Sequence, residues 1–239
     1  MWRIVLDTGK GKIMRFGFAA LILYAVAMNS AQAEMFRIAT ADTVETRAIA
    51  KLIEKAYRRL GHETEIVFRP AGRSVWDVNK GIFDAELARI TGIENEFPNL
   101  VRVKEPVFTI SVSAVVLPGS DIKVRSWEDI GDRRVGYPRG YKLFDLRTRK
   151  LNAIKAKDPA SIVKMVKAGR MDIGLLMMSD ATALSQKLGG VTVLEPPIEV
   201  TTLYHYVHVK HRRMVPSLEK TLITMNDSGR SKEILSGHK

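Results

Sequence analysis

The chain contains no cysteine. That absence excludes disulfides, thiol nucleophiles, thiolate metal sites and iron–sulfur clusters. It also excludes a lipid anchor attached at a leader cysteine. No Gly/Ser-rich or Pro-rich tract and no internal repeat interrupts the 239 residues, so nothing in the composition points to disorder or a solenoid. G-x-S-x-G, H-E-x-x-H and the Walker loop are all missing, and no catalytic residue is nominated. Long hydrophobic runs are missing too. The longest, Phe16–Met28, spans 13 residues, against the roughly 20 that cross a bilayer.

What is present is an excess of positive charge: 38 Lys and Arg against 26 Asp and Glu, a formal net charge of +12. Nucleic acid is one possible partner for such a chain. Neither zinc-ligand spacing nor an RNP-type aromatic strand accompanies the charge, so no nucleic acid is expected. The excess suits a soluble surface that gathers anionic solutes or lies near an anionic membrane. Lys10, Lys12 and Arg15 precede the apolar run, and Ala31-Gln32-Ala33 stand just before Glu34. A basic start, a short apolar stretch and an A-x-A site describe a secretory signal peptide over residues 1–33, starting at Met1 or Met14. Export without a lipid anchor implies a Gram-negative periplasmic protein that is not embedded in the membrane.

Two units of order β-α-β-α-β follow. In the first, strands are expected at 36–39, 64–68 and 83–90, with helices at 43–60 and 73–80. Ile49, Leu52, Ile53, Ala56 and Leu60 give the longer helix one apolar face, and Gly61 ends it. Strands at 101–103 and 111–117 lead into the second unit. There, strands are expected at 134–137, 151–156, 173–177 and 191–194, and helices at 141–149, 158–168 and 179–188. Parallel strands require crossovers, so each unit implies a largely parallel sheet. An alternating strand at 203–209 and a helix over 215–235, broken at Gly229, complete the chain.

This order resembles the type 2 periplasmic solute-binding fold. Five local motifs resemble the family that includes the polar amino-acid receptors of ABC importers: Ser126–Gly136 (SWEDIGDRRVG), Ala168–Asp172 (AGRMD), Lys80–Asp84 (KGIFD), Glu105–Phe108 (EPVF) and the tail from Val215 to Leu235. The resemblance implies an α/β fold of two lobes, with two mixed sheets joined by a two-strand hinge near 111–116 and 204–208. Lobe 1 would comprise residues 34–113 and 206–239, and lobe 2 residues 114–205. A small polar, anionic solute would be captured between them by a monomer that docks on the membrane permease of an importer. A receptor serving a membrane sensor kinase is the first alternative. An exported enzyme resembling cyclohexadienyl dehydratase is the second.

The resemblance also sets a test for the solute. In that family the arginine of a T-x-x-R step pairs with the solute carboxylate. An aspartate five residues past the aspartate of the G-R-x-D turn takes the ammonium. Here Glu94 stands in the arginine's place and Met177 in the aspartate's. An ordinary α-amino acid is therefore not the expected solute, and Asp180 replaces the aspartate only if the alignment slips by three.

The remaining candidates come from position. Arg89 ends the third strand, where α/β sheets present ligand contacts, and its fork suits a carboxylate or phosphate. Arg73, at a helix start, is a second cation. Thr40 and Asp42 end the first strand, with Asp42 alternatively capping the helix that follows. Tyr137-Pro138-Arg139-Gly140-Tyr141 opens a helix whose first amides attract anions; Arg139 adds charge there, and Tyr137 or Tyr141 would cover an organic solute. Met177 and Met178 read as core. His205 and His208 fall on opposite faces of a strand, so no metal site and no cofactor are expected.

Overall fold

In the computed structural model, which describes residues 34–237, nine strands and seven α-helices are formed. The expected signal peptide, 1–33, lies outside the described residues. The first half runs β1 (Met35–Thr40), α1 (Val44–Arg59), β2 (Glu63–Phe68), α2 (Ala71–Asn79) and β3 (Ala85–Ile90). α1 starts at a reciprocal cap in which Thr43 Oγ1 accepts from the Thr46 amide and Thr46 Oγ1 accepts from the Thr43 amide. Thr43, not Asp42, is thus the helix cap. Ile49, Leu52, Ile53 and Ala56 are buried along one stripe. Gly61 ends the helix at φ +80°, a conformation that costs glycine little. β1 pairs parallel with β2 and with β3, and α1 and α2 supply the crossovers.

β4 (Leu100–Val116) is a single strand of 17 residues where two short ones are expected. Lys104-Glu105-Pro106 reads as an interruption because proline has no N–H to give a ladder. The backbone stays extended through it, and the pairing register shifts on both sides of Pro106 instead.

The second half runs β5 (Val135–Pro138), α3 (Lys142–Arg147), β6 (Ala153–Ala156), α4 (Pro159–Lys167), β7 (Ile173–Met177), α5 (Met178–Leu188) and β8 (Thr192–Val193). β5 pairs parallel with β6 and β7. β9 (Glu199–His208), α6 (Val215–Asp227) and α7 (Arg230–Ser236) follow, with Gly229 at φ +71° at the expected helix break. The strand order is β2-β1-β3-β9-β4-β7-β5-β6, with β8 on β4. β9 reaches into the first half through β3, and β4 reaches into the second through β7. The two expected sheets are joined by these long strands in one hydrogen-bonded path.

Close packing of the second half depends on a glycine pair in register, Gly136 on β5 and Gly174 on β7. A Cβ on Gly174 would stand 2.6 Å from Ile162 Cγ2 and 2.7 Å from Val115 Cγ2. Both carbons belong to β-branched side chains that have few alternative rotamers. Gly174→Ala is expected to destabilise the protein by about 1–3 kcal/mol through overpacking. This will be read as a lower urea midpoint at unchanged slope; a midpoint equal to wild type would mean that α4 can lift off the sheet at no cost.

Candidate functional site

The C-terminal ends of β1, β2 and β3 face the β5–α3 loop and the end of β7 across a cleft of about 480 Å³. Strand ends of this kind are where α/β sheets present ligand contacts. Ile90, Ile110, Leu143, Met177 and Leu203 give the cleft apolar walls, and Ile110 and Leu203 come from the long strands β4 and β9.

Arg89 lines this cleft and is held at three points. Its Nε donates to Glu86 Oε1 at 2.8 Å, and its Nη2 donates to the Ala71 carbonyl and to Ser74 Oγ, each at 2.7 Å. Nη1 makes no hydrogen bond among the described residues. Residues 86 and 89 of a regular strand would point to opposite faces. The β3–β9 register shifts between them, and this irregularity turns the two side chains together.

Most other charges at the cleft are already paired. Arg69 stands 3.1 Å from Asp77, and Lys142 stands 2.5 Å from Glu96. Asp42 is gripped by both arms of Arg47 at 2.7 and 2.8 Å, which lowers its pKa, but it is exposed and lies at the mouth. Arg139 and Glu45 have no side-chain partner among the described residues, and both line the cleft. Glu45 also acts on Asp180 and Tyr141. Desolvation, followed by the charge of Glu45, pushes the Asp180 carboxyl up to about 6, against the pull of Tyr141.

Of the residues nominated from sequence, Thr40, Asp42, Arg89, Arg139 and Tyr141 line the cleft together. Asp180 is outside the lining. Arg73 is not brought in: it pairs with Asp77 one turn along α2 at 2.8 Å and stacks on Trp76. Tyr137 is also elsewhere, 2% exposed, with its hydroxyl donating to Asp145. α3 has six residues and no side-chain cap at Tyr141, so it offers less helix N-terminus than the sequence implies. Glu45, Phe68 and Arg69 are cleft residues that the sequence reading passes over. Phe68 ends β2 and Arg69 follows it directly, so the strand-end rule applied to Arg89 would have found them.

The two positions of the amino-acid clamp differ in fate. Met177 lines the cleft. Glu94 lies outside its lining, with Oε2 accepting from the Gly92 amide and the Tyr206 hydroxyl, each at 2.9 Å. The histidines do not converge: His205 is fully buried, His211 bonds Asp84, and no metal-binding cluster occurs among the described residues.

The halves also touch at the rim. Besides the Lys142–Glu96 pair, Gly140 in the β5–α3 loop comes so near α2 that a Cβ there would stand 3.3 Å from Ala71 Cβ. No helix among the described residues is long and apolar enough to cross a membrane.

No family model matches the chain. An uncharacterized protein of Shewanella oneidensis is 23% identical over 209 residues, covering 81% of this chain and 74% of that one. Among solved structures, an ancestral arginine-binding protein bound to arginine superposes with a TM-score of 0.70 at 17% identity, covering 85% of this chain and 97% of its own. EhuB in complex with hydroxyectoine gives 0.69 at 18%, covering 85% and 88%. The GluR0 ligand-binding core with L-glutamate gives 0.71 at 9%, covering 86% and 98%. These likenesses span nearly the whole length of the solved chains. The fold is that of the two-lobed type 2 periplasmic solute-binding proteins.

Proposed function

We propose that this chain is an exported solute-binding protein that captures a small anionic solute in its cleft and delivers it to an ABC-type importer in the inner membrane. The reading is one of binding, not turnover. Residues 1–33 would be its signal peptide, and the lobes would divide as 34–113 with 206–239, and 114–205. β4 and β9 would flex where they pass between the lobes. The observation that carries the proposal is Arg89, fixed by three bonds at a strand end with Nη1 left over for a solute. Arg139 adds a second cation from the opposite side. The apolar walls suit a solute whose carboxylate is carried on a hydrocarbon body. Closure follows if the solute touches both lobes, because its extra contacts in the closed form shift the two-state equilibrium.

The test is a thermal-shift screen of residues 34–239 with monocarboxylates, dicarboxylates, phosphates, amino acids and polyamines. A solute at ~100 times its Kd is expected to stabilise the protein by about 2.7 kcal/mol. Monocarboxylates with apolar bodies are the expected hits. A screen in which only cationic solutes shift the melting curve would overturn the anionic reading.

A further inference from the structure

Glu86 is a puzzle on energetic grounds. It is 0% exposed, and Arg89 is the charged group that acts on it. Its Oε2 has no hydrogen-bond partner among the described residues. Burial pushes the carboxyl up to about 7 against the pull of Arg89. A buried pair of this kind is generally no better for stability than well-packed apolar residues of similar volume. Its effect lies in what it does to Arg89. It fixes Nε, and where it is ionised, above neutral pH, it cancels the guanidinium charge at the cleft wall.

We propose that Glu86 sets the selectivity of the cleft: by neutralising Arg89 while holding it, it makes Nη1 an oriented donor and disfavours simple inorganic anions. The inference rests on the cleft being a solute site. An inorganic anion binds chiefly through net charge, which the Glu86–Arg89 pair lacks. An organic anion gains in addition from burying its body against Ile90, Ile110, Met177 and Leu203, and it still finds a directed N–H. The cleft would thus tell a carboxylate on a hydrocarbon from an equally charged ion without one.

Sulfate is the probe, because its charge is constant with pH and it has no apolar body, and it is titrated at pH 8.5, where Glu86 is ionised. The Arg89 Nε–H resonance is followed by NMR in residues 34–239, wild type and Glu86→Gln, as sulfate is titrated at constant ionic strength. Glutamine keeps an acceptor for Nε and removes the charge. Glu86→Gln is expected to bind sulfate about ten-fold more tightly than wild type, the equivalent of one pKa unit of differential interaction. Glu86→Met, which fills the same space without polar atoms, is expected to shift the same way and serves if the glutamine variant folds poorly. Equal sulfate affinity in wild type and either folded variant would reduce Glu86 to a structural residue. That result does not depend on which organic solute binds, so it fails separately from the solute screen.

Discussion

Arg89→Ala is expected to abolish solute binding and to destabilise the protein by about 3–5 kcal/mol, the cost of breaking a buried ion pair from one side. The cost arises at Glu86. With Arg89 gone, a carboxylate that is 0% exposed has lost the cation that keeps it ionised. Ser74 Oγ and the Ala71 carbonyl lose a donor as well. Glu86 can escape by taking up a proton, so the deficit of the variant should shrink as pH falls from 8 to 5. The double variant Arg89→Ala, Glu86→Gln removes the charge altogether and is expected to recover part of the loss. Urea unfolding at the two pH values measures all of this. A single variant as stable as wild type at pH 8 would mean that Glu86 is not held as an anion by Arg89.

The second large effect is acid sensitivity at His205. Its ring is fully buried between β3 and α1, with Nδ1 3.0 Å from the Leu87 carbonyl and Nε2 2.9 Å from the Tyr57 hydroxyl. A carbonyl only accepts, so Nδ1 carries the proton and Nε2 accepts from Tyr57. A second proton would turn Nε2 into a donor facing Tyr57 and would place a charge where no water reaches. Desolvation accordingly lowers the His205 pKa to about 4. An unfolded histidine takes its proton near 6.5, while the folded one refuses it until about 4. The stabilisation is therefore complete above pH 6.5 and is lost as pH falls from 6.5 towards 4, on the order of 3 kcal/mol in all. His205→Asn, though less stable at pH 7, is expected to lack this part of the slope between pH 7 and 4.5. Parallel slopes for wild type and variant would show that His205 titrates normally.

The element order was legible because its signals are local. Apolar residues at 3–4 spacing and glycines at φ +80° and +71° mark α1 and the α6–α7 break within the segments they shape. The continuity of β4 was not legible, since Pro106 looks like a strand end to any reading of one segment. It remains extended because β9 pairs with it on both sides. Part of the cleft lining followed from one rule, that ligand contacts lie at the ends of parallel strands, which places Thr40, Asp42 and Arg89 at the cleft. Arg73 stays outside the cleft lining for a reason present in the sequence: Asp77 lies four residues along the same helix and pairs with it. The Glu86–Arg89 pair was hidden, because period-two alternation assigns the two residues to opposite faces and only the bulge against β9 brings them together.

The rim contacts carry a consequence for affinity itself. Lys142 with Glu96, and Gly140 against Ala71, join the two halves through the chain's own atoms. If the cleft closes on its solute as proposed, they give the closed form a free energy that no solute supplies. The measured dissociation constant is then the intrinsic one divided by the fraction of molecules competent to bind. Affinity therefore has a second dial, located at the rim. Residues there can tune how much solute is needed for capture while leaving unchanged which solute is chosen.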